Sequence, residues 1–186
     1  MLKNTVFSVA LALLIALTVN KLIPPSVDPV LTMVLSKSNG QINRIDQARH
    51  ISYTRTHLID RVEFNADNHF KHPTLGILGW SEYFYADINT QFEVTKASRY
   101  RFEVGSDDGY QLEIDGNIIC EHKRDRPFQR NTCMQPLNAG QHQLTLRYFQ
   151  GYGNAGLTFK AAPEGVSKLR FWGEDIKGIS YHPPTK

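Results

Sequence analysis

The chain has 186 residues, enough for one domain with a sizeable core and too few for two large ones. Hydrophobic residues at 41% and charged residues at 21% exclude both wholesale disorder and a polytopic membrane protein. A net charge of +3 is too small, and its Lys and Arg too dispersed, for a nucleic-acid footprint, so no nucleic-acid partner is expected.

At the amino terminus Lys3 precedes an uncharged apolar run from Val6 to Val19, the pattern of an export signal. The run has the length of a signal-peptide core, whereas continuation through Leu22 and Ile23 approaches what a spanning helix needs. No A-x-A site follows it, so an uncleaved hydrophobic helix in the membrane is favoured over a cleaved peptide. Residues 1–23 are therefore read as a signal-anchor or signal peptide. The remainder is expected to face the periplasm or exterior, or to be secreted if cleavage occurs. Pro24, Pro25 and Pro29 cannot continue a helix, and residues 24–41 read as a stalk.

Residues from about 30 to 60 read as a connector. Ile42, Ile45 and Ala48 fall at helical spacing, but Ile51 to Leu58 is mostly polar, with Arg55 and His57 breaking any pattern. From Trp80 onward strand signals dominate, helped by 10 Phe, 8 Tyr and 13 Gly in the composition. Tyr100, Phe102 and Val104 alternate with Arg101 and Glu103. Asp115-Gly116 separates two further apolar runs as a two-residue hairpin turn does. Leu144, Leu146 and Tyr148 alternate again, and Leu157-Thr158-Phe159 opens another short run. Several short strands with turn chemistry between them predict an all-β antiparallel sandwich or barrel, here over residues 42–163 with a tail at 164–186. In an oxidising compartment Cys120 and Cys133 are expected to form a disulfide, the alternative being two free buried thiols.

The run Tyr100-Arg101-Phe102-Glu103-Val104-Gly105-Ser106-Asp107-Asp108-Gly109-Tyr110, followed by Gln111 to Gly116, resembles the hallmark of the PA-fourteen domain, the module named after anthrax protective antigen. Leu137 to His142 and Tyr148 to Leu157 are similar to the turn and closing strand of that family, and Trp80 to Val94 to the strand before the hallmark. The resemblance implies a β-sandwich that serves as an accessory recognition module in toxins, glycosidases and yeast flocculins, without catalysis of its own. In the adhesin branch the adjacent Asp pair forms a cis peptide and binds calcium, and the calcium binds sugar hydroxyls. Asp107 and Asp108 occupy the matching positions.

Two neighbouring carboxylates supply hard oxygen ligands, of which calcium takes about six to eight. By the same resemblance further ligands would come from the loop Gln150 to Asn154, with Gln150 and Asn154 both candidates. The alternative is that Asp107 and Asp108 only accept backbone N–H bonds in the turn before Gly109. Tyr152, set among glycines, is either an exposed ring for a sugar face or a ring folded back over the sandwich edge. Arg124 and Arg126 lie in a basic stretch between the cysteines, either contacting an acidic polysaccharide or forming a solvated charge run. His69 and His72 form H-x-x-H, but Pro73 denies them a helix, so no zinc site is expected. Gly151 to Gly156 satisfies G-x-G-x-x-G without the helix a dinucleotide needs. The sequence thus reads as a non-enzymatic carbohydrate-recognition module of the cell envelope, with a glycan partner and calcium as its cofactor. The alternative is a structural or protein-interaction module of an envelope assembly, which would hold if the tail after Ser167 capped the Asp pair.

Overall fold

The structure, a computed structural model, describes residues 26–182 and residue 184. The expected amino-terminal helix lies outside the described residues. Fourteen strands follow one another: β1 Leu31–Ser38, β2 Ile51–Ile59, β3 Glu63–Asp67, β4 Lys71–His72, β5 Gly76–Ile77, β6 Phe84–Val94, β7 Ser98–Asp107, β8 Tyr110–Ile114, β9 Asn117–His122, β10 Gln129–Leu137, β11 Gly140–Gln150, β12 Ala155–Pro163, β13 Arg170–Phe171 and β14 Ile179–Tyr181. The larger sheet runs β2-β1-β6-β11-β8-β9, with β14 also paired to β6. The opposing sheet runs β10-β7-β12-β13, with β3 also on β12, and every ladder between named strands is antiparallel.

The alternating sequences become half-buried strands, as a period of two requires. Tyr100, Phe102 and Val104 of β7 face inward and are buried, opposite Leu144, Leu146 and Tyr148 of β11 across the sandwich. At the centre Trp172 is fully buried, with Phe92 edge-on at 5.0 Å and Phe159 at 5.2 Å between ring centroids. Its indole N–H donates to Thr90 Oγ1 at 3.2 Å, so the ring's single polar atom is satisfied inside the core. Asp115 and Gly116 both adopt positive φ, 52° and 78°, in the two-residue turn joining β8 to β9.

The boundaries differ from the sequence reading in three places. Residues 31–38, expected in the stalk, form β1, which pairs with both β2 and β6 and buries Leu31, Met33 and Leu35. Ile42 and Ile45 lie on no helix. They pack with Tyr85 and Phe149 in a small second cluster on the outer side of the larger sheet. The tail contributes β13, β14 and the core Trp172, because each short strand completes a ladder on a longer one, β12 or β6. Cys120 and Cys133 are disulfide-bonded with Cα atoms 6.1 Å apart, linking β9 at an edge of one sheet to β10 at an edge of the other.

Candidate functional site

Strand β7 ends in Ser106-Asp107-Asp108, and the Asp107–Asp108 peptide bond is cis. Both aspartates are largely buried, at 8% and 5% exposure, although they close a strand at the end of the sandwich. The chain can reverse here because residue 109 is glycine. A Cβ on Gly109 would lie 2.5 Å from the Phe149 ring and 2.6 Å from the His122 carbonyl oxygen. The Asp108 carboxylate accepts the Gly151 N–H at 2.7 Å on Oδ2 and the Arg126 N–H at 3.1 Å on Oδ1. It thereby joins the β11–β12 loop to the segment after β9.

Burial, and then the charge of Asp108 beside it, push the Asp107 carboxyl up to about 6, against N–H donation from Phe128 and the field of Arg126. Asp108 is raised too, by burial, against its two backbone N–H donors. Neither carboxylate has a side-chain cation within ion-pair distance among the described residues. Two desolvated carboxylates side by side therefore lack a counter-charge in direct contact. The carboxylate oxygens themselves are hard donors of the kind a divalent cation takes, although backbone N–H groups of Gly151, Arg126 and Phe128 already donate to them. No cluster of three or more His, Cys, Asp or Glu residues occurs among the described residues, so a cation there would need further oxygens from amides or the backbone.

The candidate residues fall into two groups. Asn154 and Tyr152 stand exposed in the β11–β12 loop, Tyr152 at 79%, so the ring does not fold back over the sandwich edge. Gln150, by contrast, points inward and is fully buried. Its Nε2 donates to the Asn154 carbonyl at 2.8 Å, and its Oε1 takes the Tyr148 hydroxyl at 2.6 Å. Gln150 shapes the loop, and the Asn154 side chain is exposed. Arg124 is exposed, whereas Arg126 is committed to the protein: its guanidinium donates to Ser106 Oγ at 2.8 Å and Asn131 Oδ1 at 2.6 Å. It also lies over the Tyr110 ring at 5.6 Å.

Tyr148 was not singled out by the sequence reading as a site residue. Its buried hydroxyl donates to the Asp107 carbonyl, sharing its proton with Gln150 Oε1, and burial holds its pKa well above the usual phenol value. A hydroxyl on the apolar face of the alternating β11 pattern was the available signal, since such a group must find a partner inside. Among the described residues the tail does not cap the pair. Strand β14 pairs with the Val94–Phe92 end of β6, whereas Gln150 pairs with Phe84 at the other end, ten residues or roughly 30 Å away.

This two-sheet antiparallel sandwich, with a cis aspartate pair closing one central strand, has a fold of the PA-fourteen type. Residues 80–167 match the family model of the PA14 domain. A PA14 sugar-binding domain from an RTX adhesin is similar in structure, with TM-score 0.63, 16% identity and coverage of 78% of this chain and 96% of that one. The PA14 domain of the antifreeze protein MpAFP gives 0.56 at 16% identity over 80% and 89%. The epithelial adhesin 9 A domain of Candida glabrata in complex with Galβ1-3GlcNAc gives 0.56 at 11% over 86% and 94%. At these identities the likeness shows the fold. No curated protein matches the chain in sequence.

Proposed function

We propose that the chain is a non-enzymatic carbohydrate-recognition domain that holds a calcium ion at Asp107 and Asp108 and presents it to a glycan. The observation that carries the reading is the pair itself: two buried adjacent carboxylates with no side-chain cation in contact among the described residues, next to a loop whose Tyr152 ring and Asn154 amide are exposed. Asp107, Asp108, the Asn154 amide and loop carbonyls would hold the ion. A bound calcium would supply the missing positive charge and coordination positions for vicinal sugar hydroxyls. The protein's part is to fix the carboxylates. Gly151 N–H and Arg126 N–H orient Asp108, while Tyr148 and Gln150 brace the backbone on either side. Tyr152 offers an aromatic face to the apolar side of a sugar ring. Sugar-binding neighbours of the same fold support the class of ligand. Export, with residues 1–23 tethering the domain to the membrane, belongs to the same proposal, as an adhesin-type module works outside the cell.

Calorimetric titration with calcium, followed by a glycan array with and without chelator, tests the reading. Wild type should release or take up heat at millimolar calcium or below and melt at higher temperature. Asp107→Asn or Asp108→Asn should fold yet lose that shift. No heat and no shift in wild type would return the aspartates to the role of turn-fixing acceptors.

A further inference from the structure

A second aromatic and cationic surface lies along the same end of the larger sheet. Strand β2 is an edge strand exposed through most of its length, yet it carries Tyr53 at 54% exposure. The Tyr53 ring meets Trp80 edge-on at 6.2 Å. The Arg55 guanidinium lies over both rings, 5.2 Å from the Tyr53 centroid and 5.1 Å from that of Trp80. Such stacking holds the guanidinium plane while leaving its N–H edge free. Lys37 lies over the Tyr83 ring at 5.6 Å and donates to the Glu82 carbonyl at 2.6 Å. Among the described residues neither Arg55 nor Lys37 has a carboxylate within ion-pair distance.

The ladder registers place this surface relative to the aspartates. Tyr53 is opposite Lys37, Lys37 opposite Phe84, and Phe84 opposite Gln150, so the four form one row across β2, β1, β6 and β11 on the same face. Three interstrand steps put Tyr53 roughly 14 Å from Gln150. The segment carrying Trp80 and Tyr83 bridges the gap, since Tyr83 N–H donates to the Gly151 carbonyl at 2.9 Å. Phe84 and Gln150 are buried within this row, while Tyr152 just beyond one end and Tyr53 with Arg55 at the other are exposed.

We propose that Tyr53, Arg55 and Trp80 form a second subsite, which binds a carboxylate-bearing sugar several residues along the same glycan chain from the one at the Asp pair. The assignment rests on the carbohydrate reading above for the class of ligand. Its acidic character comes from the unpaired cations: Arg fits a carboxylate bidentately, and a ring beside it takes the apolar face of the same sugar.

Binding of short uronate oligomers (oligogalacturonate, oligoalginate and hyaluronan fragments) and of their methyl-esterified neutral counterparts to the full chain tests this, by calorimetry and tryptophan fluorescence. The chain has two tryptophans, and Trp172 is fully buried, so a ligand-induced change in emission reports on Trp80. At least one acidic oligomer should bind wild type about tenfold tighter than its ester and shift that emission, a difference one charge-assisted pair supplies. Tyr53→Ala/Arg55→Gln should lose that tenfold preference while keeping calcium-dependent binding of neutral sugars. Arg55→Lys, which keeps the charge without the fork, should lose most of it too. Calcium-dependent neutral binding with no acidic preference, or acidic binding unchanged in these variants, overturns the subsite and leaves the Asp site standing. Acidic binding that survives chelator and Asp108→Asn but fails in the Tyr53/Arg55 variants upholds the subsite and sinks the Asp-pair reading. A wild-type dimer that the double variant abolishes, without uronate binding, assigns the face to a second copy of the chain and overturns the proposal.

Discussion

The Cys120–Cys133 bond joins the two sheets at one side of the sandwich, and its removal should be felt both globally and at the aspartates. The cysteines are 13 residues apart in sequence, and closing a loop of that size withdraws about 3 kcal/mol of chain entropy from the unfolded state. For a chain of this length each kcal/mol moves the melting temperature by about 2–4 °C, so Cys120→Ser/Cys133→Ser should melt about 6–12 °C lower. Reduction of the wild type should reproduce the loss. The closed loop also carries Arg126, whose backbone N–H holds Asp108, so the reduced protein should bind calcium more weakly than the oxidised one. Urea denaturation with and without reductant, paired with calcium titration of both forms, measures the two effects. Oxidised and reduced protein with coincident unfolding curves, or two reactive thiols in the folded unreduced chain, would refute the reasoning.

Trp172→Ala removes the ring that couples the tail to the core and should cost about 3–5 kcal/mol, read as a lower urea midpoint; a cost near zero would show the tail to be dispensable. His142 Nδ1 lies 2.6 Å from Asp115 Oδ2, and its Nε2 lies 3.0 Å from the Asn138 carbonyl, so both ring nitrogens donate and the imidazolium is favoured. Burial lowers its pKa, but the two acceptors outweigh it and leave the value raised. The stabilisation is complete below the unfolded value of about 6.5 and fades as pH rises through the folded value. His142→Gln should therefore differ from wild type by under about 1 kcal/mol at acid pH and by less in alkali. A gap that widens with pH would contradict this.

The strands that declared themselves in the sequence are those with one face in the core. In β7 and β11 the alternation of aromatic or aliphatic with polar residues maps directly onto buried and exposed positions. Strand β2 was illegible for the opposite reason: solvent reaches both its faces, so Thr54, Arg55 and Thr56 carry no period. Strands β13 and β14 are two and three residues long, and only their partners on β12 and β6 define them. At the site, the Asp pair stood out through its resemblance to the family hallmark, whereas the exposure of Tyr152 was one of two open readings that only the fold decides. The inward turn of Gln150 was not legible, because it depends on the Tyr148 hydroxyl and on loop carbonyls that only the fold brings together.

The chain enters β1 at Leu31, beside the point where His182 N–H reaches the Gln91 carbonyl, and Val30, His182 and Pro184 line one shared cavity. From there β1 runs lengthwise toward the Asp pair, its far end at Lys37 facing Phe84. A pull between the amino-terminal segment and a glycan held at the aspartates would load the hydrogen bonds that β1 makes to β2 and β6 along the strand axis. Those bonds would have to yield together, as in shear, instead of opening one after another like a zip. A strand that the sequence presented as part of a stalk would in this way be the element that carries tension between the amino-terminal side and any glycan held at the aspartates.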